Sequence, residues 1–228
     1  MVTLKQYINN SQILVFNSMN EVKKESKQGK IRAQSEAKIL EAAQEEFILQ
    51  GYKGATVQSI ADRAGLPKAN ILYYFKNKEN IYHAVLEHTL DTWDKGIGDI
   101  DPDQGPKIAI EKFIASKVRM SFQHPSSSKI YAMEIIQGAQ HLKEFARTYL
   151  RKWVREKAAL FQHWIDRGEM VDVDPYKLIF LIWSTTQHYA DFEIQVLTVM
   201  NRAEYEEEDQ EQVTAFLTDI ILRGCGLK

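Results

Sequence analysis

Residues 56–75 read TVQSIADRAGLPKANILYYF, two short amphipathic stretches on either side of a single glycine, Gly65. Thr56 supplies a hydroxyl that can cap the first stretch. Val57, Ile60, Ala61 and Ala64 are its inward residues at helical spacing. Gly65 suits the left-handed backbone of a tight turn. Pro67 suits the first turn of a second helix, where its missing N–H would be unpaired anyway. That helix is expected to turn Leu72 and Phe75 inward. Small Ala61, Ala64 and Gly65 allow the two helices to cross closely and steeply, as in a helix-turn-helix. The second helix of such a motif can lie in the major groove of DNA with its N-terminal residues on base edges.

The residue types on the outer face suit that task. Asn70 can make a bidentate pair with adenine, Lys68 can reach guanine or phosphate, and Ala69 can touch a thymine methyl. Tyr73 and Tyr74 carry hydroxyls suited to phosphate, and Lys76 and Lys78 flank the start of the next helix, where N–H groups already favour anions. An ordinary helical hairpin with Tyr73 and Tyr74 half-buried fits the periodicity equally well. Charge adds a mild bias. Residues 21–78 hold 11 Lys and Arg against 7 Asp and Glu, while residues 79–228 hold 17 against 24. The positive end can attract phosphate and the acidic remainder limits nonspecific binding.

Helical spacing runs through the rest of the chain, and no segment alternates long enough to suggest a strand. Residues 1–34 are expected to form a flexible basic arm, 35–80 the DNA-binding domain, and 81–228 an effector-binding and dimerisation domain. Ser35 is a candidate N-cap for a helix that buries Ile39, Ala42, Ala43 and Phe47 and ends at Gly51. Asn77 starts a helix running through Ile81, Val85 and Leu86 toward Trp93. Residues 96–106, GIGDIDPDQGP, read as a loop. Further helices are predicted over 107–123, 127–137, 139–168, 174–200 and 207–225, giving an all-α fold.

The predicted 174–200 helix opens with an apolar block, residues 178–183, that suggests burial on all sides. It then turns polar at Ser184, Thr185, Thr186, Gln187 and His188, whose groups must find partners inside the fold. Trp183 and Gln187 share a helical stripe. Indole offers a stacking surface, and the Gln amide sets an acceptor beside a donor, complementary to the imide edge of a pyrimidine. The alternative is that Trp183 is core and Gln187 bonds a helix neighbour. Phe192, Val196, Val199, Phe216, Ile220 and Ile221 suit either a dimer seam or a protomer core.

The run TVQSIADRAGLPKANILYYFKNKENIYHAVL resembles the DNA-binding region of the tetracycline-repressor (TetR) family. That resemblance implies an all-helical homodimer, a three-helix DNA-binding domain, and a C-terminal domain that binds a small-molecule effector. It places Thr56, Lys68, Asn70, Tyr73, Tyr74 and Lys78 on DNA-contact positions. Pro67 stands where many members carry serine. The segment IWSTTQHYADFEIQV, with DPYKLIF before it and AMEIIQG at 132–138, is similar to the pyrimidine-utilisation repressors of that family. This similarity implies a uracil-like or thymine-like effector, places Trp183 and Gln187 against it, and brings in Trp93 through the matching DTW. Residues 100–120 depart from the pattern, with Glu111 and Lys112 changing its charge. An apolar drug-like or acyl effector is the alternative within the same class.

Other chemistries find little support. Asp99, Asp101 and Asp103 suggest a calcium loop, but the glycine falls one place late and position twelve is Ile110. His83 and His88 are wrongly spaced for one helical face, so no metal or cofactor is expected. His188 and Asp191 are the one acid–base pair a helical enzyme acting on pyrimidines could use, and no nucleophile or phosphate-loop motif accompanies them. The lone cysteine, Cys225, fits a reducing cytosol, and no apolar run reaches membrane-spanning length. The expectation is therefore a cytoplasmic regulator, not an enzyme, whose operator affinity a small molecule controls.

Overall fold

The computed structural model describes residues 27–97 and 102–227, and among these every regular element is helical. They form two compact units. The first holds the described residues up to Thr92 together with Ile130–His141; the second holds Trp93–Lys129 and Leu142–Lys228. Most of the expected basic arm lies outside the described residues. The expected boundary at residue 80 differs from this division, because the first unit keeps the following helix through Thr92 and gains a segment from further along the chain.

In the first unit, α1 (Lys27–Gly54) carries Ile39, Ala43 and Phe47 fully buried. Ser35 does not cap it: the helix begins at Lys27, and Ser35 sits in its interior. Gly51, at φ 66 and ψ 168, interrupts the helix at the position expected to end it, since that backbone is open to glycine at little cost. α2 (Val57–Ala64) and α3 (Lys68–Phe75) follow. Arg63 ties α2 to α1, with nitrogens 2.9 Å from Glu46 and 3.2 Å from Glu45. α4 (Lys78–Ile97) starts where Asn77 Oδ1 accepts the Asn80 N–H at 2.8 Å. Its residues Ile81, Val85 and Leu86 are buried.

The second unit is built from α5 (Gly105–Gln123), α6 (Pro125–Ile136, which crosses into the first unit at Ile130), α7 (Arg151–Asp166), α8 (Pro175–Asp191), α9 (Glu193–Met200) and α10 (Asp209–Gly224). A short helical turn, Lys143–Phe145, and a π-helical turn, Ala146–Leu150, lead into α7. α5 begins inside the expected loop because Pro106 stands in its first turn, where proline loses nothing. Ile110, Ile114, Val118, Phe161, Ile179 and Ile182 form the centre of the core.

Two expectations for this unit fail. The predicted 174–200 helix is two helices, broken at Phe192, whose φ of −116 and ψ of 28 leave the helical region. The apolar block at 178–183 is not buried all round. Leu178, Ile179 and Ile182 are buried, but Phe180 and Leu181 are about half exposed in the single chain. Hydropathy alone cannot distinguish a side chain that faces its own core from one left open to another surface.

Candidate DNA-recognition face and effector site

The turn between α2 and α3 is built by three residues. Thr56 Oγ1 accepts the Ser59 N–H at 3.0 Å, and Ser59 Oγ accepts the Thr56 N–H at 3.0 Å, a reciprocal capping box. Gly65 takes φ 61 and ψ 36 and closes α2. Pro67 sits one place earlier than expected, at the N-cap of α3, where its carbonyl accepts the Asn70 N–H at 2.9 Å.

α3 is anchored by Ile71, which has no exposed surface, and not by Leu72, which is exposed. One residue of helix rotates the face by about 100°, from 3.6 residues per turn, so only one of these neighbours can point at α2. That choice leaves Lys68, Ala69 and Asn70 exposed at the helix start, with Tyr73 at 75% exposure. Tyr74 is half-buried, set edge-on to Tyr73 at 5.3 Å, with the Arg32 guanidinium 5.9 Å from its ring centre. Lys76 closes α3 at φ 67, a backbone region that non-glycine residues seldom adopt. Nothing in the sequence marks it for that role.

Lys78 is placed differently from the other candidates. Its ammonium donates to the carbonyls of Tyr52 at 2.8 Å and Ala55 at 3.0 Å, and lies 4.7 Å from the Tyr52 ring centre. It thereby satisfies carbonyls where α1 ends. An ammonium has three donors, so one remains for another acceptor.

In the second unit, Trp183 and Gln187 lie one turn apart on α8, both half-buried. Trp183 stacks on Trp153 of α7 at 6.0 Å and packs against the core. Thr186, fully buried, spends its hydroxyl on the Ile182 carbonyl at 2.6 Å; Ser184 and Thr185 bond the Leu181 carbonyl. Gln187 instead reaches across to α6, its Nε2 lying a long 3.5 Å from Ser128 Oγ. Ser128 Oγ in turn donates a hydrogen bond to Asp191 Oδ1 at 2.6 Å. Asp191 is therefore engaged with Ser128, while His188 stacks on Phe192 at 5.1 Å.

Trp93 is met by Lys117 of α5. The lysine side chain is buried, and its ammonium lies 5.1 Å from the Trp93 ring centre. Burial pushes the ammonium down to about 8, against an opposing pull from Asp191. Burial likewise raises the Asp191 carboxyl, against the Ser128 hydrogen bond and the charges of Lys117, Lys129 and His188. A separate open groove of about 1000 Å³ between α5 and α10 is lined by Lys107, Glu111, Arg119, Asp219 and Arg223, among others, and by none of the effector candidates. Its mixed charge and lack of aromatic lining suit specific small-molecule recognition less well.

Residues 39–85 match the model of the bacterial regulatory proteins of the tetR family, and residues 86–228 match that of the YcdC-like protein C-terminal region. The chain belongs to the TetR family. This TetR-family chain is 36% identical over 203 residues to the HTH-type transcriptional regulator RutR of Escherichia coli K12, covering 89% of the chain and 96% of RutR. It is 25% identical over 146 residues to the regulator EthR of Mycolicibacterium smegmatis, covering 61% of the chain and 65% of EthR. Among solved structures, it shares its fold with the ketosteroid transcriptional regulator KstR2 of Mycobacterium tuberculosis. The TM-score there is 0.69 at 20% identity, over 83% of the chain and 94% of KstR2. It is an all-helical TetR-family transcriptional regulator of the RutR type.

The residues that sequence reasoning missed are Lys117 and Ser128. A lone lysine on a helix is ordinarily a solvated residue, and a serine in the SSS run at 126–128 is indistinguishable from its neighbours. Only packing singles them out.

Proposed function

We propose that this TetR-family regulator acts as a cytoplasmic homodimeric repressor. It binds operator DNA through α3 and leaves it when a pyrimidine such as uracil or thymine occupies the Trp93, Trp183 and Gln187 region. It works by binding and not by turnover. The observation that carries the DNA half is the register of α3: burial of Ile71 leaves Lys68, Ala69, Asn70 and Tyr73 in solvent together. In this reading Asn70 and Lys68 read base edges and Ala69 meets a thymine methyl. Tyr73 and Tyr74 hold phosphate, as does the remaining donor of Lys78. Thr56, already engaged in the capping box, sets a helix N-terminus against the backbone.

The effector half rests on an aromatic surface beside an amide, as in Trp183 and Gln187, and on the 36% identity to RutR. No helix among the described residues is long and apolar enough to cross a membrane. Dimerisation is supported by the exposed apolar residues of α8 to α10: Phe180, Leu181, Phe192, Ile194, Val199, Phe216 and Ile220. Ile221 leaves that set, since it is 3% exposed and belongs to the protomer's own core. Two α3 helices must sit about 34–36 Å apart to enter successive turns of DNA. An effector that prefers another arrangement of the dimer draws the population away from the DNA-competent one.

The test is retardation of operator DNA with and without uracil or thymine. Release by either supports the reading. Retardation unchanged by both, or a protein that converts either compound, counts against it.

A further inference from the structure

We propose that His83 and His141, set beside the buried carboxylate of Glu134, form an acid-sensitive clasp: protonation of both rings frees the turn at 138–141 and lowers operator affinity whether or not an effector is bound. The clasp acts apart from the effector site and rests on operator binding by the first unit.

All the residues concerned belong to that unit. Glu134, on α6, is 3% exposed. Its Oε2 accepts the Tyr82 hydroxyl at 2.8 Å, and its Oε1 accepts the His141 N–H at 2.6 Å. His141 Nδ1 lies 3.4 Å from Oε2, and facing a carboxylate it can bond only as a donor. The Ala139 N–H adds a 2.8 Å bond to the Glu134 carbonyl. Glu134 thus holds a turn in which Ala139 takes φ 55, a backbone region that residues with a Cβ seldom adopt. A turn kept in that conformation by its surroundings opens when the hold weakens.

Rings from α1, α4 and the turn meet beside this carboxylate. Tyr52, in the last turn of α1, lies 4.9 Å from the His141 ring centre, Tyr82 lies 4.8 Å from it, and His83 5.2 Å. The other charged groups at hand are Glu79, largely exposed and 3.9 Å from His83 Nε2, and Lys78, 4.7 Å from the Tyr52 ring centre. Burial and the Glu134 hydrogen bond push the Tyr82 phenol above its ordinary range, so it remains a donor at every working pH.

One imidazolium beside Glu134 makes an ion pair. A second, in the ring 5.2 Å away, meets a like charge, with the exposed and screened Glu79 as its ion-pair partner. Burial first, and then the charge of His141, hold His83 below its ordinary 6.5, against the pull of Glu79 and Glu134. A histidine so held takes up its proton less readily in the closed arrangement than in an open one. The closed arrangement therefore loses stability as pH falls below 6.5. Tyr52 touches both the His141 ring and the Lys78 ammonium, so opening reaches the start of α4, the helix that follows α3.

The test uses the full-length protein, unmodified and as His83→Gln and His141→Gln, from about pH 7.5 to 5.5 at fixed ionic strength. Hydrogen–deuterium exchange of residues 130–141, corrected for the intrinsic rate, reads the opening without DNA. Anisotropy titration of a duplex selected for binding at neutral pH reads the affinity. Circular dichroism shows that each variant is folded. In the unmodified protein, opening is expected to rise by up to about 10-fold over the pH unit below 6.5, the limit for one proton. Affinity for the duplex falls over the same range, and both changes are lost in either variant. A fall runs against the background, because charging exposed histidines strengthens attraction to phosphate. Exchange that does not rise, or that rises equally in His83→Gln, overturns the clasp. Exchange that rises while affinity stays constant overturns its control of the operator. Acid-sensitive exchange in a protein that binds no duplex at any pH overturns that control together with the operator reading.

Discussion

Lys117 and Asp191 each favour the charged form of the other, and for both of them burial wins. The ammonium is brought down from 10.5 to about 8, and the carboxyl is raised. Charge at Lys117 therefore works against the folded state. The unfolded chain binds the extra proton between pH 8 and 10.5, so the Lys117 contribution to stability rises across that window and is lowest below it. Cys225, raised to about 11, and Tyr131, raised to about 12, act in the opposite sense at alkaline pH, so the comparison must be with a variant. Lys117→Met is expected to be more stable than the unmodified protein below pH 8, with the advantage shrinking toward pH 10.5. Urea unfolding at a series of pH values measures it, and an advantage that stays constant with pH refutes it.

The proposed recognition by α3 assigns base contacts and phosphate contacts to different residues, which variants can separate. Asn70→Ala is expected to weaken operator binding by about 1–3 kcal/mol and to relax preference at one base pair. On the proposed reading, Tyr73→Phe is expected to remove a phosphate contact and to weaken binding to all sequences alike. Anisotropy titrations on operator and scrambled duplexes at several salt concentrations distinguish the two. Equal losses on both duplexes for Asn70→Ala would remove it from base reading.

The register of α3 can be checked by stability alone. Ile71→Ala empties a fully buried site and should cost about 2–5 kcal/mol. Leu72→Ala, at a position 37% exposed, should cost clearly less, on the order of 1 kcal/mol. The reverse order in chemical denaturation would mean that the helix is rotated by one residue and that Asn70 no longer faces outward.

Association is predicted to depend on α10. Phe216→Glu and Ile220→Glu place charge on exposed apolar positions, where they disturb no protomer core. Both are expected to give folded monomers in sedimentation and to lose most operator affinity, because a single α3 reaches one half-site. A monomeric unmodified protein at working concentration would remove the dimer from the account.

Much of the DNA-binding half was legible because its signals are local. Gly65 takes left-handed backbone, Thr56 caps α2, Asn77 caps α4, and Gly51 interrupts α1. Each depends on a few neighbouring residues, so residue type and spacing suffice. Ser35 misled for the same reason: a capping residue carries the same chemistry inside a longer helix, where there is no helix start for it to cap.

What the chain order alone decided is the helical class, the turn at Gly65, and the residue types offered to DNA. Tertiary packing decided the rest. It chose Ile71 over Leu72, left Phe180 and Leu181 exposed, and took Ile221 into the core. It also buried Lys117 and joined Ser128 to Asp191 across 63 positions. Caps and turns are satisfied within one turn of chain, so composition and spacing can specify them. A buried charge or a long-range hydrogen bond exists only once separate helices have met, and no pattern along a single helix encodes which neighbour it will meet.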